Sequence, residues 1–130
     1  MQIHQSAEDY LETILMLNQR MGRVRSIDVV NELGYTKASV SIAMKKLREN
    51  GYIAVDGEGN LTLLEPGREI AERIYSRHRL LTHFFVQLGV EVDIAAEDAC
   101  KAEHILSEQT LEKIRERALE TDSELTKPAE

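Results

Sequence analysis

The chain has 130 residues, 42% hydrophobic and 30% charged, with a formal net charge of −7. That length suits one domain or a small head joined to a second lobe, and leucine, isoleucine and valine recur too regularly for a disordered chain. No apolar run approaches the ~18 residues of a membrane span and no basic–apolar–cleavage pattern opens the sequence, so a cytoplasmic protein without membrane contact is expected.

Ser6 is a good N-cap residue, and Tyr10, Leu11, Ile14, Leu15 and Leu17 then repeat at helical spacing, which predicts a first helix over about 7–21, ended by Gly22. A short helix follows from about Ser26 to Leu33, with Ile27, Val30 and Leu33 inward and Gly34 at its C-terminus. Thr36 caps a third helix over about 37–50, whose Val40, Met44 and Leu47 form the inward stripe. The period then changes: Tyr52-Ile53-Ala54-Val55 and Leu61-Thr62-Leu63-Leu64 flank Asp56-Gly57-Glu58-Gly59-Asn60, the pattern of a β-hairpin with a five-residue loop. That order is the order of a winged helix-turn-helix, here over 1–64.

Glu65-Pro66 opens a long helix lined by Ile70, Ile74, Leu81, Phe85 and Leu88. Run unbroken from 66 to 88 it would reach ~34 Å, enough to enter a second lobe. Two further helices are expected over about 92–105 and 107–120, the last capped by Ser107, so that 65–120 form a helical lobe. Residues 121–130 are polar and read as a frayed tail. The fold class is mainly α: a winged helix-turn-helix head and a helical lobe.

The charge is unevenly spread. Residues 1–64 carry seven Lys and Arg against eight Asp and Glu, whereas 65–130 carry nine against fifteen, so the acid sits in the second half. The third helix turns Lys37, Ser39, Ser41, Lys45 and Lys46 away from its apolar stripe. Lysines meet phosphate, and short side chains let a backbone approach a groove, which points to double-stranded DNA. Ala38 and Ile42 are candidates for apolar base contact, with Ser26 and Thr36 flanking them. Asp56 and Glu58 at the hairpin tip would repel phosphate.

A second constellation suits a metal. Cys100, the lone cysteine, cannot form an internal disulfide, and with Glu103 and His104 it occupies positions i, i+3 and i+4, which share one face of a helix, so the three are expected to project together. Thiolate, carboxylate and imidazole together suit a divalent transition metal. His78 falls in the inward stripe of the long helix, and Asp9 and Glu12 share a face of the first, giving six candidate ligands on three helices. Ordinary alternatives for each are a satisfied core histidine, a buried thiol and acids favoured near a helix N-terminus.

The stretches Ser6-Ala7-Glu8-Asp9-Tyr10-Leu11-Glu12, Arg77-His78-Arg79-Leu80-Leu81 and Asp98-Ala99-Cys100-Lys101-Ala102-Glu103-His104 resemble the DtxR/MntR family of metal-dependent transcriptional repressors. The resemblance covers about 6–117 and implies a homodimer whose metal sites join the DNA-binding head to the dimerization lobe. It also implies the two-domain form, since the chain ends before the SH3-like domain of longer members. Carried onto this sequence, the manganese branch would use Asp9, Glu12, His78, Glu103 and His104, with a bridging glutamate where Cys100 stands. Cysteine there is the habit of the iron-responsive branch, which has methionine in place of Asp9, no carboxylate in place of Glu12, and ancillary ligands that would fall at Thr82 and Ala96. The chain is a hybrid: its oxygen donors suit Mn²⁺, whereas Cys100 suits softer Fe²⁺, or Co²⁺ and Zn²⁺ in vitro. One site from Glu12, His78, Cys100 and Glu103 and a second from Asp9, Glu103 and His104 are expected. Pattern and resemblance together assign pairing of the two copies to Leu106, Leu111 and Ile114.

The function implied is a repressor of metal uptake or homeostasis genes, with Mn²⁺ or Fe²⁺ as co-repressor on a pseudo-palindromic operator and no organic substrate. The rivals are a winged-helix repressor switched by an organic ligand or by oxidation of Cys100, a winged helix used for protein contact, and an enzyme with Cys100 and His104 as nucleophile and base. No Gly-rich or oxyanion-type turn accompanies that last pair, and a cysteine within a helix lacks the N-terminal field that lowers a thiol pKa.

Overall fold

The computed structural model describes residues 5–126, and the chain divides into two compact units, one up to Arg73 and one from Ile74. In the first unit, α1 (Gln5–Met21) buries Tyr10, Leu11, Ile14, Leu15 and Leu17, the residues whose spacing marks its inner face. Ser6 lies within this helix and does not cap it. Gly22, with φ 82°, ends it in the left-handed region that disfavours other residues. After α2 (Ser26–Leu33), Gly34 adopts φ 71° and donates its N–H to the Val30 carbonyl, closing the helix. Val29 is the residue α2 buries fully, and Ile27, expected inward, is exposed. An eight-residue helix has barely two turns, too few for its period to be read unambiguously.

The Thr36 hydroxyl accepts the Ser39 N–H at 3.1 Å, capping α3 (Lys37–Glu49), an interaction worth ~1 kcal/mol. Val40, Met44 and Leu47 are buried beneath that helix. Strands β1 (Ile53–Val55) and β2 (Leu61–Leu63) pair antiparallel, Ile53 opposite Leu63 and Val55 opposite Leu61. Their loop is tied by the Asp56 carboxylate, which accepts the Glu58 N–H at 2.8 Å, the Asn60 N–H at 2.9 Å and the Asn60 side-chain amide at 3.0 Å. These bonds hold the Asp56 carboxyl below its ordinary range, that of the Asn60 N–H first. The segment before α2 adds a short third edge: Leu61 N–H donates to the Val24 carbonyl at 2.7 Å, and Arg25 bridges to Asn60. This edge is absent from the pattern reading, which finds only the hairpin.

Helix α4 (Glu65–Gln87) begins in the first unit and continues into the second, which also holds α5 (Val92–Ala102) and α6 (Glu108–Thr126). The second unit's core is Leu81, Ala99 and Leu111, with Leu80, Phe85, Ala102, Leu106 and Ile114 packed on it. Leu88 falls past the end of α4 and is exposed, against expectation. Ser107 accepts the Thr110 N–H at 3.1 Å and caps α6, as its sequence position predicts. That helix continues to Thr126 through residues expected to fray, since no breaker intervenes before Pro128; 127–130 of the expected tail lie outside the described residues. Among the described residues no helix is long and apolar enough to cross a membrane.

Candidate metal centre and nucleic-acid interface

Glu103 is the C-cap of α5 and is fully buried, 0% exposed. Ala95, Ala99 and Glu103 fall at i, i+4 and i+8, so the face that α5 turns inward ends on a carboxylate. His78, from the middle of α4, places Nδ1 3.0 Å from Glu103 Oε2. His104, in the turn after α5, places Nε2 3.4 Å from Glu103 Oε1. One carboxylate thus lies between two imidazoles. Its Oε1 is buried without a hydrogen bond, a costly state for an anionic oxygen in a protein interior. Oxygen and imidazole donors converging on such an oxygen fit a divalent first-row cation.

Arg77, one residue before His78, also meets Glu103. Its Nη1 donates to the Glu103 carbonyl at 3.2 Å, and its Nη2 pairs with the Glu108 carboxylate at the start of α6.

Cys100 lies on α5, three residues before Glu103. It is exposed, and among the described residues no set of three ligand-type side chains includes it. Cys100 sits ~100° round the helix from buried Ala99, which turns it toward the outer side of α5. In the first unit Glu12 is 6% exposed on the buried side of α1 and Asp9 is half-buried. Their neighbour Glu8 has a countercharge in Arg73 at 3.5 Å.

The outer side of α3 is open. Lys37, Ala38, Ser39, Ser41, Ile42, Lys45 and Lys46 are all exposed, Ile42 by 58%. Thr36 is exposed too, but its hydroxyl also donates to Ser39 Oγ at 2.9 Å, so the pair is engaged in capping; Ser26 is half-buried. Two exposed arginines beside the hairpin escape the pattern reading: Arg23, 3.8 Å from Glu58, and Arg25, whose guanidinium lies over Gly59.

The residues expected to pair two copies lie on α6 and in the turn before it. Leu111 is 2% exposed within the helical unit's own core, and Leu106 and Ile114 pack against it. Periodicity marks a helix's apolar side but not whether its own chain or another covers it. Among the described residues, the large apolar side chains that this unit exposes include Val86, Leu88, Val92, Ile94 and Ile105.

Two family models match the chain: the iron dependent repressor N-terminal DNA binding domain over residues 2–61, and the iron dependent repressor metal binding and dimerisation domain over 64–122. An uncharacterized HTH-type transcriptional regulator of Methanocaldococcus jannaschii is 34% identical over 85% of this chain and 90% of its own length. The HTH-type transcriptional regulator MntR of Bacillus subtilis is 32% identical over 84% of this chain and 77% of that protein. A solved manganese-dependent transcriptional repressor in complex with manganese superposes with TM-score 0.79 at 29% identity, covering 86% of this chain and 52% of that one. The chain spans about half the length of such solved structures. Matched through both its head and its helical unit, the chain belongs to the iron-dependent repressor family of transcriptional regulators.

Proposed function

We propose that this protein is a metal-dependent transcriptional repressor in which Mn²⁺, or alternatively Fe²⁺, is the co-repressor. The observation that carries this is the buried Glu103 carboxylate between His78 and His104, in a chain whose family joins a DNA-binding head to a metal-binding unit. His78, Glu103 and His104 are the ligands supplied by the helical unit. The resemblance adds Asp9 and Glu12 of α1 to the same set, and Glu12's burial suits a carboxylate with a cationic partner. Cys100, exposed on α5, is the softer donor that the resemblance adds; the other five are oxygen and imidazole donors, an oxygen-rich set that favours Mn²⁺, and Co²⁺ and Zn²⁺ are expected to bind in vitro. The bound cation supplies positive charge that several carboxylates can share. Without that charge the carboxylates of the set are uncompensated, and operator affinity is lost. Coupling is reciprocal: operator DNA tightens metal binding by the factor by which metal tightens DNA binding.

Lys37, Lys45 and Lys46 meet phosphates, and Ala38, Ser41 and Ile42 reach the groove floor. The tip of the hairpin, with Asp56 and Glu58, stays clear of the backbone. Two heads of a homodimer read half-sites about one turn, ~34 Å, apart on a pseudo-palindrome controlling metal uptake or homeostasis genes. Control by an organic ligand or by Cys100 oxidation is not favoured, and a family of repressors leaves no place for the enzyme reading. In the metal-loaded protein, Lys45→Ala and Lys46→Ala are each expected to weaken operator binding whatever the sequence and to reduce the slope of log affinity against log salt by about one. Slopes equal to wild type would remove both lysines from the interface.

Pairing of the two copies is assigned to exposed apolar side chains of the helical unit, Leu88, Val92 and Ile94 among them. Ile94→Glu is expected to give a folded monomer in sedimentation, because a charge in an apolar interface has no partner. A variant that remains a dimer would place the interface elsewhere.

A further inference from the structure

We infer that Arg77 is a positioning residue for the metal centre, its guanidinium fixing the turn that carries Glu103 and His104. The inference rests on the metal-binding reading of that site.

Glu103 ends α5, where the last carbonyls of a helix lack intrahelical partners, and its carbonyl is the one that Arg77 Nη1 holds at 3.2 Å. Through Nη2 the same guanidinium pairs with Glu108, the first residue of α6. A single side chain of α4 therefore fastens the end of α5 and the start of α6, with only residues 104–107 between them. His78, the next residue of α4, meets the carboxylate of the same glutamate at 3.0 Å. Residues 77 and 78 thus hold the main chain and the side chain of Glu103 from one helical turn.

The residue type matters. Arginine offers a rigid planar fork able to serve two acceptors at once, whereas lysine presents a compact point charge. The Arg77 side chain is only 13% exposed, so its charge needs a neighbour, and Glu108 supplies one. That pairing also limits the repulsion a fixed cation would exert on a second cation bound at Glu103. Groups that orient ligands from outside the coordination shell typically change metal affinity 10–100-fold when removed.

The test is a titration of the full-length chain with Mn²⁺, free ion read by electron paramagnetic resonance, for wild type, Arg77→Met, Arg77→Lys and Glu108→Gln. Arg77→Met is expected to lose affinity on the order of 10-fold or more, Arg77→Lys to recover only part, and Glu108→Gln to lose least. A second readout needs no metal: in the metal-free protein, amide hydrogen exchange over 103–107 is expected to accelerate in Arg77→Met while the α3 amides keep their protection. Folded Arg77→Met with wild-type affinity and wild-type exchange overturns the inference. If that variant does not fold, Arg77→Lys decides, since wild-type affinity there makes the fork unnecessary. A wild-type chain that takes up neither Mn²⁺ nor Fe²⁺ overturns the metal reading itself, a failure the exchange measurement keeps separate.

Discussion

Glu103→Gln is expected to abolish metal-responsive DNA binding while leaving a folded protein. The substitution keeps the shape of the side chain and removes the charge that two imidazoles face. A buried charge is a burden to the metal-free fold, so the melting temperature without metal is expected to stay level or rise. The difference lies in the response to ligand. A site filled at a hundred times its dissociation constant stabilises the native state by about 2.7 kcal/mol, and the variant forfeits nearly all of it. Thermal melts with and without Mn²⁺ measure this directly. A Glu103→Gln protein that keeps the wild-type Mn²⁺ shift would remove Glu103 from the ligand set.

Gly67→Ala is expected to destabilise the head by about 2 kcal/mol, although alanine is the better helix former by ~1 kcal/mol. A Cβ at this position of α4 would lie 2.2 Å from the Tyr52 carbonyl oxygen and 3.4 Å from Leu11 Cδ2. The clash is with backbone, which cannot swing aside as a side-chain end would. That carbonyl also accepts the Leu64 N–H at 3.0 Å, just before α4 begins, so moving it disturbs the entry to the helix. Overpacking of this kind outweighs the gain in propensity. Urea unfolding followed by far-UV circular dichroism reports the change; a variant as stable as wild type would show that the approach of α4 to Tyr52 is looser than described.

The parts of the fold legible in the sequence are those decided locally. Thr36 and Gly34 bracket a turn whose hydrogen bonds are made within four residues, and the stripe of Val40, Met44 and Leu47 repeats through more than two helical turns. The Val24–Leu61 edge contact is not legible, because a two-residue bridge between distant segments leaves no periodic trace. His78 draws notice as an imidazole in an apolar stripe, and Glu103 through its spacing with Cys100 and His104; that the Glu103 carboxylate lies fully buried between two imidazoles is not legible in either signal. The exposure of Cys100 is not legible either, since spacing sets it near Glu103 without saying which side of α5 the core covers. The burial of Leu111 in its own unit's core is not legible, because an apolar stripe that packs on its own chain has the same period as one that packs on a second copy. Arg77 shows no local pattern at all, since its partners lie 26 and 31 residues away.

The most direct test of the account is the affinity of the wild-type chain for a fluorescent pseudo-palindromic duplex from its own promoter region, by anisotropy, after chelation and on adding Mn²⁺ or anaerobic Fe²⁺. Weak, non-specific binding is expected in chelator and a strong gain with metal, seen on the operator and not on a scrambled duplex. Equal affinity of chelated and metal-loaded protein for the operator would contradict it, and would leave the Glu103 cluster a structural element.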